Sequence, residues 1–565
     1  MSNRLLVLLL PCLLQNLHLS GQSPPDGPFE QQVRDLAADL RDLTRRYDVP
    51  LSTECWQRMN SYLTQKLTEL SQVDGSKLGR DGRIDLQLCI GHCKHQLALL
   101  DQTATNNKAA APLLPHAAPL IRACERRRRL ETIDGEAAAM LLTQAATDLQ
   151  AAERQLANGE FDSLSIPTAS TATDSLQQLH HACSAWFRFY DGYDPLFSWW
   201  ARKPWQEYDA AQQHWRNAIE QRLITARNQD NTLPGQPIGE AALRTELQHE
   251  QIPYTPAELI AIAEREFSWC DAEMEKASKA LGCGTNWQQA MELVKQRHVA
   301  PGEQPQLILK LAHEAEQFLT ERDLLTLPPL ATECWRMSMM SKAAQKVNPF
   351  FLGGNTIQVS FPTDDMTHQE KLQSLRSNNE HFCRATVFHE LLPGHWLQEY
   401  MQERWRPHRA MFETPFWIEG WALYWEMRFY DLGLHKTAED KVGALYWRKH
   451  RCARIIFSLN FHLGRLTAQE CVEYLILRVG HERAAAEGEV RRSIGGAYSP
   501  LYQCAYLLGG LQLRALQKEL VGSGSLTEKQ FHDAVLQQNA IPIAYVRAAL
   551  SPHIVPIGEL AAWRF

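Results

Sequence analysis

Basic residues are in short supply: 58 Lys and Arg against 65 Asp and Glu leave a net charge of −7. Such a chain has no positive field to collect phosphates, so nucleic-acid binding is not expected. Beyond the first two dozen residues no apolar run reaches the roughly 20 residues that cross a bilayer, so no integral membrane span is expected. Strand signals are scarce and no internal repeat is present. The cysteines never form the two paired clusters of a structural zinc module. The nearest approach, LCIGHCKH with Cys89, His92, Cys93 and His95, has no second pair and reads as a cysteine-bearing helix. What remains is 44% hydrophobic and 22% charged, with 16 Trp, the balance of a globular protein with a large core.

The first residues, MSNRLLVLLLPCLLQNLHLSGQS, combine Arg4, an apolar run from Leu5 to Leu14 and a small-residue exit. This pattern predicts a cleaved signal peptide over 1–23 and a secreted or periplasmic protein. Cys12 follows Pro11, which does not look like a lipoprotein cleavage site. The other twelve of the 13 cysteines are an even number, which suits disulfides without naming pairs; buried thiols are the alternative.

From about Pro28 onward, apolar residues recur at three- and four-residue spacing, as in VRDLAADLRDLTRRY and from Ala257 to Leu281. Thr255-Pro256 with Glu258 marks a helix start. Breaks are expected at 165–175, 228–237 and 326–330. The four arginines Arg126 to Arg129 read as a solvated helix face. In NTIQVSFP, Ile357, Val359 and Phe361 alternate with polar residues, a strand signal ended by Pro362. The expected fold is mainly α with a small sheet, a helical region over 24–330 and a chemistry-bearing region over 331–565, the two forming one continuous unit.

RATVFHELLPGHWLQEY contains His389, Glu390, Pro393, Gly394 and His395. Zinc-hydrolase helices place two histidines four residues apart, one turn, with a glutamate between. Here the spacing is six, which on an unbroken helix sets the rings about 240° apart. Pro393 and Gly394 permit a bulge that swings His395 back. A chance His-Glu-x4-His is expected only about 0.05 times in such a chain, so coincidence is a weak explanation. Downstream, TPFWIEGWALYWEM buries Glu419 in an apolar run, where a carboxylate is costly unless paired or metal-bound. Two histidines and a glutamate leave one position open, the layout of a catalytic zinc site.

His-Glu-x-x-Pro-Gly-His followed by Glu-Gly-Trp-Ala-Leu-Tyr resembles the bacterial domain-of-unknown-function family 885, grouped with the gluzincin metallopeptidases. The resemblance runs from about Asp174 to Pro556 and takes in WWARKPW, RDLLTLP, NPFFLGGNTIQVSFPTD and GAYSPLYQCAYLLGG. The motif is also similar to the His-Glu-x-x-Gly-His of a dipeptidyl-peptidase family. The resemblance implies a multi-helical gluzincin-like fold with the small sheet beside the zinc helix and a substrate cleft between helical halves. It further implies one Zn2+ on His389, His395 and Glu419, with Glu390 as general base. A bound zinc acidifies water, and Glu390 would take the proton and pass it to the leaving amine.

The oxyanion needs a further donor, for which Tyr506 and His462 are the candidates. Arg451, Arg454, Ser458 and His462 form one stripe of a helix, and Tyr498, Tyr502 and Tyr506 crowd after a double glycine. Ser458 stands where many family members carry Asp, and Leu501-Tyr502 replaces their Gly-Gln. Candidate substrate contacts are Asn355 and Gln358 on the strand edge, Arg454, Arg491 beside Arg492 as a carboxylate fork, and Tyr498. Three readings follow: a secreted zinc metallopeptidase of oligopeptides, a zinc hydrolase of a non-peptide amide or ester, and an inactive peptide-binding scaffold on a peptidase fold. Oligomeric state is not readable.

Overall fold

The computed structural model describes residues 27–227, 233, 235–345, 351–496, 498–551, 560 and 562–565. The expected signal peptide over 1–23 lies outside the described residues. Helices dominate, and the described strands number two: β1 (Arg336–Met339) and β2 (Thr356–Val359), paired in parallel with Met337 opposite Ile357. The alternation in NTIQVSFP is realised in β2, where Ile357 and Val359 are fully buried. β1 is mostly exposed, so no hydrophobic pattern announces it.

Local chemistry starts many of the helices. Thr255 and Glu258 form a reciprocal capping box at the head of the helix Pro256–Ala280, the geometry that satisfies two orphan amides at once. The expected break at 165–175 is instead helical. Ser165 caps a helix over Ile166–Tyr190 with Pro167 in its first turn, and Ala169, Ala172, Thr173 and Ser175 turn a packed face inward. Small residues that read as a loop were there to let helices approach.

Three apolar cores organise the chain. One joins residues 29–93 to 307–560 around the chemistry-bearing motif. A second joins 233–294 to 382–508. The third belongs to a bundle within residues 49–224 that packs on itself. Helices before residue 100 and between 233 and 325 thus share cores with the C-terminal region. The twelve cysteines among the described residues are all free thiols, and nine of them are buried. No helix among the described residues is long and apolar enough to cross a membrane.

Candidate metal centre

The motif helix, Glu380–Glu390, starts at Asn379, whose side chain accepts from the amides of His381 and Phe382. It stops at Glu390. The chain then makes a short excursion through a cis Leu392–Pro393 bond and resumes as a second helix, His395–Gln402. Across the excursion the hydrogen bonds lengthen in register: Gly394 N donates to Phe388 O at 3.1 Å and Leu397 N to Leu391 O at 3.4 Å, each six residues back. Two residues have in effect been looped out of a continuous helix. Gly394 is required there, because a Cβ would fall on the carbonyl oxygen of His389.

The result is a convergence that the six-residue spacing forbids on a regular helix. The rings of His389 and His395 lie 4.7 Å apart and nearly perpendicular, at 88°. Their Nε2 atoms are 3.1 Å apart. Glu419 arrives from a third helix, Pro415–Asp431, and its Oε2 lies 3.3 Å from each of these nitrogens. Ligands at about 2.0–2.1 Å from a tetrahedral zinc stand about 3.3–3.4 Å from one another. The triangle has those dimensions. Glu419 Oε2 is buried without a hydrogen-bond partner, an orphan of the kind a cation would satisfy. The residues present therefore fit a zinc ion.

Each candidate ligand is held from behind. His389 Nδ1 donates to Glu426 Oε1 at 2.8 Å, and Arg451 stands 3.6 Å from the same oxygen. Tyr502 Oη donates to the other oxygen of Glu419 at 2.5 Å. The Gln398 amide nitrogen rests on Nδ1 of His395 and also donates to Ile418 O at 3.2 Å. Tyr502 and Tyr506 come from the tyrosine helix, Tyr502–Leu520. That helix reaches the site because Gly509 and Gly420 cross at backbone contact; a Cβ on Gly509 would strike Phe416 O.

Electrostatics follow the geometry. Burial works against charge on His389, but Glu419 and Glu426 outweigh it and push the imidazole up to about 9. Burial also opposes charge on Glu419, yet His395 and His389 hold the carboxyl well below its ordinary value. Glu390 is shifted the other way: burial raises it, leaving it a stronger base than a surface glutamate. Ligand-type atoms of His389, Glu390 and His395 fall within 4.8 Å of one another, and the Gly353 backbone passes against the Glu390 carboxylate.

The remaining expected residues are distributed unevenly. Tyr506 stacks over His389, centroids 6.0 Å apart at 12°, and burial pushes its hydroxyl up to about 12, so it keeps its proton. His462 ends the long helix Ala438–His462, about 16 Å along the axis from Arg451 at 1.5 Å per residue. It packs on Phe461, away from the imidazole pair. Arg454 donates twice to Glu489 Oε2, at 3.0 and 2.7 Å. Arg491 is exposed, whereas its neighbour Arg492 is partly buried over Tyr498 and Tyr502. Asn355 is exposed. Both backbone groups of Gln358 bond to Leu352, so that rung of the strand edge is filled by the chain itself. Glu426 was not singled out in the sequence, although it repeats Glu419 seven residues on, two turns along the same face.

A cavity of about 1030 Å³ lies in the N-terminal bundle between Arg127, Asp174, His180 and Gln212. A smaller groove of about 240 Å³, lined by Ser360, Glu489 and Arg492, borders the chemistry-bearing region.

Comparison with known proteins agrees with this picture at the level of fold. A protein described as a lipoprotein of unknown function from Shewanella oneidensis matches at TM-score 0.66 and 15% identity, over 94% of this chain and 100% of that one. A second, from Colwellia psychrerythraea, matches at TM-score 0.58 and 15% identity, over 93% and 98%. No curated protein matches the chain. The family model for bacterial protein of unknown function (DUF885) matches residues 37–550, and with nearly the whole sequence covered the chain belongs to that family.

Proposed function

We propose that this chain is a zinc metallopeptidase of the gluzincin type that hydrolyses oligopeptides, exported by its N-terminal segment to a secreted or periplasmic location. The observation that carries the reading is the triangle of His389 Nε2, His395 Nε2 and Glu419 Oε2, with edges of 3.1, 3.3 and 3.3 Å, beside a buried glutamate. A zinc bound there acidifies water and polarises a carbonyl. The protein's own part is proton handling and orientation. Glu390, made more basic by burial, accepts a proton from the attacking water and delivers it to the departing amine nitrogen. Glu426 fixes the tautomer of His389 through Nδ1, and Tyr502 fixes one oxygen of Glu419 so that the other faces the imidazoles. Tyr506, protonated and stacked on His389, is the proposed donor toward a developing oxyanion.

The test is metal analysis of the purified mature protein by plasma emission, alongside His389→Ala, followed by a peptide-library digest set against an ester and amide panel. About one zinc per chain, lost in the variant, with peptides cleaved, supports the proposal. Absence of zinc after reconstitution sinks it; cleavage confined to the ester and amide panel replaces the peptidase by a hydrolase of other substrates.

A further inference from the structure

Three guanidinium groups surround the tyrosines next to the proposed metal centre, and their charges are incompletely matched. Arg451 and Arg454 flank the ring of Tyr506, 4.5 and 4.6 Å from its centroid. Arg492, from the helix Arg483–Ile494, lies 4.8 Å from the ring of Tyr498 and 5.9 Å from that of Tyr502. Two buried acids answer them. Glu426 is shared between Arg451 and His389, and both donor bonds from Arg454 fall on a single oxygen of Glu489. No ion pair involves Arg492 among the described residues.

The unmatched donors are specific atoms. Arg454 Nη1 and Arg492 Nε are buried and have no hydrogen-bond partner, and Arg454 is 2% exposed. A buried charged N–H left without an acceptor is a standing penalty, relieved by an anion brought in from outside. Access exists, because Arg492 and Glu489 line the 240 Å³ groove together with Ser360, at the end of β2. The other acids on that groove are occupied: Glu370 caps Thr367, and Glu482 pairs with Lys295 at 3.1 Å. Arg492 is also close to the chemistry. Tyr502, which it overlies, touches Glu419, so the guanidinium lies within about 11 Å of that carboxylate, the span of about three extended residues.

We infer that Arg492, at the wall of this groove, forms a carboxylate subsite that takes the C-terminus of a short peptide, within about three residues of the scissile bond, with Arg454 behind it holding Glu489. The inference rests on the metallopeptidase reading and deepens it: the substrates are peptide ends rather than internal segments of long chains. Arginine suits the task because its planar fork matches a carboxylate through two parallel hydrogen bonds.

The experiment uses a random tripeptide library with free C-termini and its C-terminally amidated twin. Binding to the zinc-loaded Glu390→Gln protein is measured by equilibrium dialysis, and cleavage is measured with the wild type. Acids should bind about 10- to 100-fold tighter than amides, the worth of a charge-assisted hydrogen-bonded pair. Arg492→Gln should collapse that ratio toward one, and Arg492→Lys should restore only part of it. A partial loss of folded protein lowers both terms together and leaves the acid-to-amide ratio unchanged, and Arg492→Gln is compared at wild-type circular dichroism and zinc content. Equal binding of acids and amides, an unchanged ratio in Arg492→Gln, or no retention of either library overturns the subsite. So does recovery of tight binding by amides that carry Asp or Glu, which would make the recognised anion a side chain. Arg492-dependent binding of acids with no cleavage by the wild type leaves the subsite standing and removes the peptidase reading.

Discussion

Two helices of 25 residues, Ile166–Tyr190 in the N-terminal bundle and Ala438–His462 beside the proposed metal centre, are built on opposite rules. The first buries one broad face, including Ala169, Ala172, Leu176, Leu179, Cys183 and Trp186, and leaves the opposite face partly or fully exposed, the pattern of a helix that exists to be packed. The second is buried on nearly all sides and carries its charges inward. Arg448 pairs with Glu266, Lys449 with Asp271, Arg451 with Glu426, Arg454 with Glu489, and Asp440 with Arg384 and His381. Buried ion pairs are poor investments in stability, because desolvation consumes most of the Coulombic gain. Their concentration on the helix that backs His389 and Tyr506 is what a site requires, and their absence from the bundle helix marks a scaffold.

The sharpest way to break that contrast is to remove the proposed base. Glu390→Gln should lower turnover by about 10²- to 10⁴-fold while one zinc per chain remains by plasma emission; activity near wild type would end the assignment. On the scaffold side, Trp186→Ala deletes a side chain that is 1% exposed and should cost about 3–5 kcal/mol in chemical denaturation. Metal content should not change, and a parallel loss of zinc would show the two regions coupled. Glu426→Gln keeps the shape behind His389 but removes the charge. We expect a 10- to 100-fold loss of zinc affinity in competition with a chelator, with the fold preserved by circular dichroism.

The effect that is smallest per group concerns acid. Burial lowers His116, His435, His481 and His532 to about 4. Below about 6.5 the unfolded chain therefore binds protons that the folded one refuses, and stability falls as pH drops toward 4. Each histidine should contribute about 1 kcal/mol of loss by pH 5.5. Glu250, raised by burial to about 8, acts in the opposite sense, as do Glu390, Glu399 and His389, which are also raised; the histidines outnumber them, because His92, His249 and His462 are lowered to about 4 as well. Melting temperatures of chelator-treated protein between pH 7.5 and 5.5 check the sign. A flat profile would mean these histidines are not neutral in the folded state.

How much of this was legible depends on what each feature answers to. Features set by neighbours in sequence were readable: the Thr255 cap, the alternation of β2, and the motif that offers His389 and His395 as candidate ligands and Glu390 as candidate base, with Glu419 standing out as the acid in an apolar run. Features set by a partner elsewhere in the chain were not. β1 exists because β2 lies beside it. Tyr502 matters because Glu419 reaches it across a glycine crossing. The stripe ending in His462 was read correctly as a face of one helix, but a stripe defines direction around the axis and not distance along it. Arg491 and Arg492 differ by about 100° of helix rotation, and nothing local says which one turns toward Tyr498.

The interruption at Leu391 has a consequence for the proposed base. In an unbroken zinc helix the glutamate sits mid-span, where peptide dipoles ahead and behind largely cancel. Here the motif helix terminates at Glu390, so the aligned dipoles of the helix converge on that residue with their negative end. A negative end disfavours a carboxylate and favours a cation. It therefore adds to the basicity that burial lends Glu390, and it would help retain the divalent ion proposed at His389.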